Sequence, residues 1–243
     1  MSKPMSARKL DYSNAGGGPP IWRTRYWSAA MWIIVVTSVV SVIDLFSLGA
    51  ISHFGALSLD GIKHLFLWQI FIYPLLHAGP VHLIFNMLWL YMLGPIIEPV
   101  LGKQRFLMLY IVSGLTGGAA FLLAQRFGIG GVIPQAYLVG ASASILGVMA
   151  AATCVAPRMP IRFWFPPITV PLWVIFLIAI VLALLAVRTW DPNAGGEAAH
   201  LGGAAAGLIA FTFRTKLGFV RSKKKSKFWK PGDPASKFFR DAE

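Results

Sequence analysis

Two hydroxyl groups, those of Ser142 and Ser144, stand near the start of the segment YLVGASASILGVMAAATCVAP, which is otherwise almost entirely apolar. A second apolar segment holds His82 and Asn86 four residues apart, and a third holds His200. Polar side chains are costly in apolar segments of this length and usually have a specific role there. Nucleophilic acyl transfer requires a hydroxyl, an imidazole base and nearby hydrogen-bond donors. The question is whether these segments bring the groups together.

The composition indicates that the surrounding solvent is a lipid bilayer. Of the 243 residues, 56% are hydrophobic and 13% are charged, and the mean hydropathy is +0.66. A soluble domain carries about a quarter charged residues, roughly twice this share. The single cysteine, Cys154, lies inside an apolar segment, so no disulfide framework is available. We therefore predict an integral, multi-pass membrane protein.

Six apolar segments have about the 20 residues that a membrane-spanning helix needs. They cover residues 26–46, 81–100, 106–126, 137–156, 168–187 and 195–213. We predict an all-α polytopic membrane protein, with a six-helix bundle over residues 26–214. Residues 1–25, with their GGGPP run, are expected to form a disordered cytoplasmic tail, and residues 215–243 a basic cytoplasmic tail.

The net charge of +13 is distributed unevenly along the chain. With six spans both termini lie on one side of the membrane, and that side receives 19 of the 22 lysines and arginines. The other side receives Lys63, Arg126 and Arg188. Cytoplasmic segments carry this excess, so we expect both termini in the cytoplasm. The segment RSKKKSKFWK, next to a membrane exit, favours contact with anionic lipid headgroups over nucleic acid.

The direction of each span predicts the depth of the polar residues. The second, fourth and sixth spans all run inward from the outer side, and each carries its polar group near its start. His82, Ser142 and His200 are therefore expected at similar depths below the outer surface. Asn86 follows His82 by four residues, so it lies on the same helix face, one turn deeper.

Small residues in the sixth span predict a close contact with the fourth. Gly203 and Gly207 follow His200 by three and seven residues and share its face, and small residues four apart let membrane helices approach closely. The fourth span offers small residues of its own, which are Gly140, Ala143 and Gly147. Such a contact would put His200 within hydrogen-bonding reach of Ser142.

The pattern predicts a serine–histidine dyad without an acidic third member. Asp44 and Glu98 lie toward the ends of their spans, and no other carboxylate is obviously placed to complete a triad. Ser144 lies two residues beyond Ser142, about 200° around the helix, so it cannot share the role of that residue.

Taken together and in this order, these residues resemble the rhomboid family of intramembrane serine proteases. The resemblance covers approximately residues 68–213. It rests on the His82 and Asn86 pair, on the Gly-Ala-Ser of residues 140 to 142, and on the run HLGGAAAG from His200. Each element is weak alone, but their combination on the right spans is specific.

The resemblance implies a role for each residue. Ser142 is expected to be the nucleophile of a serine endopeptidase and His200 its base, and later its acid. His82, Asn86 and the backbone N–H of Ser142 are expected to form the oxyanion hole. His77 matches a polar family position just outside the second span and is expected to support the site. The glycines expected to support it are Gly140, Gly203 and Gly207.

The resemblance also implies the reaction's other participants. Substrates are expected to be transmembrane proteins, water is the co-substrate, and no metal or organic cofactor is needed. Three departures from the family pattern stand out: Ala143 where glycine is usual, Leu146 where an aromatic residue is frequent, and Gln69 where arginine is usual. The simple architecture favours a bacterial inner membrane.

Three alternatives remain open. A catalytically inactive rhomboid relative would bind membrane proteins without cleaving them, although such relatives lose the serine or the histidine. A metal or haem protein would use His77, His82 and His200, although haem ligation prefers paired histidines on opposed helices. A transporter would be expected to carry charges or broken helices near the midplane.

Overall fold

The computed structural model describes residues 28–163 and 167–216, and these residues form nine α-helices and one small sheet. In chain order the helices are α1 (Ala29–Phe46), α2 (Ala50–Gly55), α3 (Leu59–Lys63), α4 (Gln69–Ile72), α5 (Pro80–Leu101), α6 (Lys103–Phe127), α7 (Ser142–Val155), α8 (Leu172–Arg188) and α9 (Ala194–Lys216). Strands β1 (Pro160–Arg162) and β2 (Thr169–Pro171) pair antiparallel between α7 and α8. The predicted tails lie outside the described residues, apart from the end of α9.

Each of the six apolar segments overlaps one helix, α1 or one of α5 to α9, but these helices differ in length. Among the described residues, α1, α5 and α6 are long and apolar enough to cross a membrane, while α7 and α8 are shorter apolar helices. The 14 residues of α7 extend over roughly 21 Å, less than the ~30 Å of a hydrocarbon core. In a bilayer, at least one end of α7 therefore lies inside the core.

The fourth apolar segment becomes helical five residues later than predicted, at Ser142. The preceding residues are held by backbone hydrogen bonds to other parts of the chain. Leu57 and Leu138 exchange two such bonds of 2.8 and 3.0 Å, and the Gly140 N–H donates to the Tyr73 carbonyl at 3.0 Å. Gly140 has φ +118°, which residues with a side chain rarely adopt. The prediction of helix before Ser142 is wrong for this reason.

Helices α7 and α9 touch through their backbones. A Cβ atom added to Gly203 would overlap the Ala143 carbonyl, and one added to Gly207 would overlap the Gly147 carbonyl. No side chain lies between the two helices at these points, so the backbone atoms themselves set their separation. Packing of this kind is typical of membrane helices, which have no hydrophobic driving force between them.

Helix α6 joins the same contact from the other side. A Cβ atom on Gly117 would lie 2.5 Å from the Ala143 Cβ and 2.8 Å from the Ala199 carbonyl oxygen. The methyl group of Ala143, one of the departures from the family pattern, therefore packs into the space that Gly117 leaves. The core of the fold is thus a closely packed group of α6, α7 and α9.

The two carboxylates considered for a triad have structural partners. Glu98 is buried and accepts hydrogen bonds from the backbone N–H groups of Ala29 and Ala30 at 2.8 and 3.1 Å. It thereby satisfies free donors at the start of α1 and complements the helix dipole. Asp44, at the other end of α1, accepts from the backbone and hydroxyl of Ser52. Both carboxylates hold α1 in place.

The loop before α5 is fixed to α1 through His77. The Ser41 hydroxyl donates to the Leu75 carbonyl at 2.9 Å and lies 3.0 Å from His77 Nδ1. Its single proton is used in the first bond, so Nδ1 must be the donor in the second. Burial and, to a smaller extent, the neighbouring His82 lower the pKa of His77 to about 4, although the hydrogen bond to the Leu75 carbonyl partly opposes them. His77 is therefore neutral in the folded protein near pH 7.

We predict that acid destabilises the protein partly through His77. Its pKa is lower folded than unfolded (about 4 against ~6.5), so its contribution is complete above pH 6.5 and is lost as the pH falls toward 4. The loss is at most about 3 kcal/mol. His77→Asn keeps a donor for Ser41 without a titratable ring, so its thermal midpoint in detergent should fall less than wild type between pH 7.5 and 4.5. Equal falls in the two proteins would refute the prediction.

We predict that Gly207→Ala destabilises the fold even though alanine favours helix by about 1 kcal/mol. The added methyl overlaps the Gly147 carbonyl, so α7 and α9 must move apart, at a cost of about 1–3 kcal/mol. Thermal unfolding in detergent measures the change. Ala210→Val adds carbon atoms on the exposed side of the same helix and should leave the midpoint nearly unchanged. A Gly207→Ala protein as stable as wild type would contradict the proposed packing.

Candidate active site

Ser142 and His200 form a hydrogen-bonded pair at the contact of α7 and α9. His200 Nε2 lies 2.7 Å from Ser142 Oγ, and both side chains are partly buried. Ser142 is the first residue of α7, and His200 lies one turn before Gly203 on the face of α9 that meets α7. The pair has the geometry that a nucleophile and its general base require.

The position of Ser142 at a helix N-terminus adds free hydrogen-bond donors. The first N–H groups of an α-helix have no partner within the helix. In α7 the Ile145 N–H is the first to bond backward, to the Ala141 carbonyl at 3.0 Å. The positive end of the helix dipole therefore lies beside Ser142 Oγ, where it favours negative charge.

His82 packs against the backbone just before Ser142. A Cβ atom on Gly140 would lie 2.7 Å from His82 Cε1 and 3.0 Å from its Nε2, so only glycine leaves room for the ring. The Ala78 N–H donates to His82 Nδ1 at 3.4 Å. Since Nδ1 accepts this bond, the neutral ring carries its proton on Nε2. His82 thus directs an N–H donor toward the Gly140 side of the site.

Asn86 lies one turn below His82, on the same face of α5. Its Nδ2 donates to the His82 carbonyl at 2.9 Å, and the side chain is buried. A carboxamide nitrogen carries two protons, and this bond uses one of them. The second proton remains available to another acceptor.

His77, the predicted supporting residue, lies next to His82. Their ring centroids are 5.0 Å apart in an edge-to-face arrangement. His77 Nε2 is buried and has no hydrogen-bond partner among the described residues. The predicted glycines also lie at the site: Gly140 beneath His82, and Gly203 and Gly207 at the contact of α7 and α9.

Ser144 points away from the pair. It is buried, and its Oγ would lie 2.6 Å from a Cβ atom on Gly114 of α6. The Tyr110 side chain lies beside it, although the Tyr110 hydroxyl has no partner with hydrogen-bond geometry among the described residues. Ser144 therefore belongs to the interface of α6 and α7.

An acidic residue, Glu197, contacts His200, so the expectation that no carboxylate is suitably placed is wrong. Glu197 Oε2 lies 2.9 Å from His200 Nδ1, and the Asn193 side-chain amide donates to Glu197 Oε1 at 3.2 Å. The signal was present in the sequence: residues three apart on a helix face each other, as in Glu-x-x-His. Glu197 was missed because it stands at the polar edge of an apolar segment.

The histidines are not arranged as metal ligands. The described residues contain no group of three or more histidine, cysteine or acidic side chains placed to hold a metal ion. Of the nitrogens near the site, His200 Nε2 and Nδ1 are engaged by Ser142 and Glu197. The arrangement is one of hydrogen-bond donors and acceptors around a serine hydroxyl.

The chain is similar in sequence to known proteins that share one domain. The model of the Rhomboid domain matches residues 64–216. RHOMBOID-like protein 1 of Arabidopsis thaliana is 31% identical over 173 residues, which are 70% of this chain and 41% of that protein. Rhomboid protease GluP of Bacillus subtilis is 35% identical over 89 residues (37% and 16%), and Rhomboid protease GlpG of Pectobacterium atrosepticum is 40% identical over 58 residues (24% and 21%).

The chain thus spans less than half the length of each of these relatives. The matched domain nevertheless covers well over half of the chain, and it includes α5 to α9 entirely. The residues assembled around Ser142 and His200 all fall within it. The chain is therefore a member of the rhomboid family.

Proposed function

We propose that this chain is an intramembrane serine endopeptidase of the rhomboid type. It hydrolyses a peptide bond in or next to a transmembrane helix of its substrate. The observation that carries the proposal is the 2.7 Å contact between His200 Nε2 and Ser142 Oγ at the start of α7. Two of the relatives, GluP and GlpG, are named as rhomboid proteases, which supports the same activity here.

In the proposed reaction Ser142 Oγ attacks the scissile carbonyl carbon while His200 Nε2 takes the hydroxyl proton. The tetrahedral intermediate collapses when His200 returns that proton to the leaving amine, leaving an acyl-enzyme on Ser142. Water then attacks the ester with His200 again acting as base, and Ser142 Oγ leaves with its proton restored. Every proton in these steps moves through His200 Nε2, which lies 2.7 Å from Ser142 Oγ in the free enzyme.

Three donors are available for the oxyanion of the intermediate. They are His82 Nε2–H, the second Nδ2 proton of Asn86, and the backbone N–H of Ser142. His82 and Asn86 come from one face of α5, and the third donor comes from the N-terminus of α7, so two helices support the oxyanion from two directions. Fixed donors of this kind stabilise the charge that develops in the transition state.

The substrate class follows from the proposed membrane position. Helices α1, α5 and α6 have the length and hydropathy of spans, and α8 exposes several large apolar side chains, among them Leu177 and Leu182. These features support a multi-pass membrane protein. The proposal adds six spans with both termini in the cytoplasm of a bacterial inner membrane, as the distribution of lysines and arginines favours. The start of α7 then lies just below the outer surface, where a substrate helix and water can meet.

We predict that Ser142→Ala and His200→Ala each abolish cleavage of a single-span test substrate by the purified protein in proteoliposomes. Loss of the nucleophile or its base should lower kcat by at least ~10³-fold. Ser144→Ala is the matched control, since its hydroxyl faces α6, and it should retain cleavage. A wild-type protein that cleaves no substrate but still binds membrane proteins would favour the inactive-relative alternative.

We predict that Asn86→Ala lowers kcat by ~10²–10³-fold with little change in KM, because it removes a donor used mainly in the transition state. Asn86→Asp, which keeps the shape but removes the N–H donors, should lose a similar factor. Phe85→Ala alters the adjacent, exposed position of α5 and serves as the control. Equal kcat values for wild type and Asn86→Ala would exclude Asn86 from the oxyanion hole.

A further inference from the structure

We infer that Glu197 is a positioning residue, whose carboxylate holds the His200 ring in the orientation and tautomer that direct the Nε2 lone pair at Ser142. The chain then works with a Ser142–His200–Glu197 triad in place of a dyad. The inference rests on the proposed function and deepens it, since it concerns how the base of that reaction is kept ready.

The hydrogen bonds that link Glu197, His200 and Ser142 fix the tautomer of the His200 ring. An ionised carboxylate can only accept, so the 2.9 Å contact with Glu197 Oε2 requires the proton of a neutral His200 ring to be on Nδ1. His200 Nε2 then presents a lone pair to the Ser142 hydroxyl 2.7 Å away. The opposite tautomer would set the Nδ1 lone pair against the carboxylate. It would also put the proton on Nε2, which would then have no lone pair for the Ser142 hydroxyl.

Glu197 is itself held in position. Its other oxygen, Oε1, accepts from Asn193 Nδ2 at 3.2 Å, and the Asn193 backbone N–H donates to Asp191 Oδ1 at 2.7 Å. Gly196 leaves the space that Asn193 needs, since a Cβ atom there would lie 2.5 Å from Asn193 Oδ1. Both carboxylate oxygens are therefore engaged, one by the base and one by an anchored amide.

The geometry of α9 makes this arrangement rigid. Glu197 and His200 are three residues apart on one helix, so their relation does not depend on how α9 packs against the other helices. Glu197 also lies in the first turn of α9, where the helix dipole favours a negative charge. The carboxylate is thus stabilised as the charged acceptor that His200 Nδ1 requires.

The contact between Glu197 and His200 differs from an ordinary surface ion pair in its burial and in the second hydrogen-bond partner of His200. The side chains of Glu197 and His200 are only 22% and 23% exposed, and the second nitrogen of the ring meets the proposed nucleophile. When His200 takes the Ser142 proton it becomes a cation facing Glu197. The other titratable group that faces it, His82 of α5, would oppose that charge if it were protonated. Glu197 is therefore placed to stabilise the imidazolium that forms during the reaction.

Glu197→Gln tests the inference because glutamine keeps the length and shape of the side chain but removes its charge. We expect kcat in proteoliposomes to fall ~10–10³-fold, with KM within about twofold of wild type; loss of the equivalent charge in a Ser-His-Asp protease costs ~10⁴-fold. The acid limb of the kcat/KM profile should move to lower pH, because the negative charge that favours the imidazolium is gone. Labelling of Ser142 by a fluorophosphonate should slow by a similar factor.

Asp60→Asn is the matched control. It removes one negative charge from helix α3, where the exposed Asp60 carboxylate lies 3.5 Å from His64 Nδ1, and it contacts none of the residues around Ser142 and His200. Its kcat and pH profile should match wild type. Glu197→Asp keeps the charge on a shorter side chain and should recover part of the activity that glutamine loses.

The outcomes separate this inference from the proposed function. If Ser142→Ala is inactive while Glu197→Gln keeps the wild-type kcat and pH profile, the inference is overturned and the protease function stands. Equal losses in Glu197→Gln and Glu197→Asp, accompanied by lower thermal midpoints, would also overturn it, because they indicate a structural role alone. If wild type cleaves nothing, or Ser142→Ala still cleaves, the proposed function fails and the inference fails with it.

Discussion

The site depends above all on the backbone contact between α7 and α9. At Gly203 and Gly207 the two helices are separated only by main-chain atoms, so no rotamer change can alter their spacing. His200 lies one turn before this contact and Ser142 lies at the adjoining end of α7. Their distance of 2.7 Å is therefore a consequence of helix packing more than of side-chain choice. Helix α6 completes the arrangement, since Gly117 makes room for the methyl group of Ala143 between the helices.

A second constraint is that every polar group inside an apolar bundle needs a partner. Near the site most polar groups meet this need through two short chains of hydrogen bonds, and the buried His77 Nε2 is an exception among the described residues. One runs from Ser142 through His200 to Glu197, and the other joins Asn86 to His82. Both chains end at groups with remaining hydrogen-bonding capacity near the start of α7. The same hydrogen bonds that satisfy these polar groups inside the bundle also fix the orientation of their side chains.

Much of this arrangement could be predicted from the sequence, because it depends on local periodicity. Hydropathy located α1 and α5 to α9, and the four-residue spacing of His82 and Asn86 placed those two residues on one face of α5. The start of α7 could not be predicted, since it depends on backbone bonds between Leu57 and Leu138, which are far apart in the sequence. Glu197 could have been found from its spacing to His200. It stands at the edge of an apolar segment, where a charged residue is typical of a segment boundary. The number of spans stays a prediction.

The same physical argument favours catalysis over binding alone. The interface of α7 and α9 is already held by glycine and alanine contacts, as Ala143 and Gly203 illustrate, so packing does not require a serine, a histidine and a carboxylate there. Keeping them costs desolvation and side-chain entropy that a protein that only binds its partners would have no reason to bear. What the three groups add is a hydroxyl bonded to an imidazole, whose other nitrogen is fixed by an anchored carboxylate. That addition supports the proposal that the Ser142 proton is removed during a reaction.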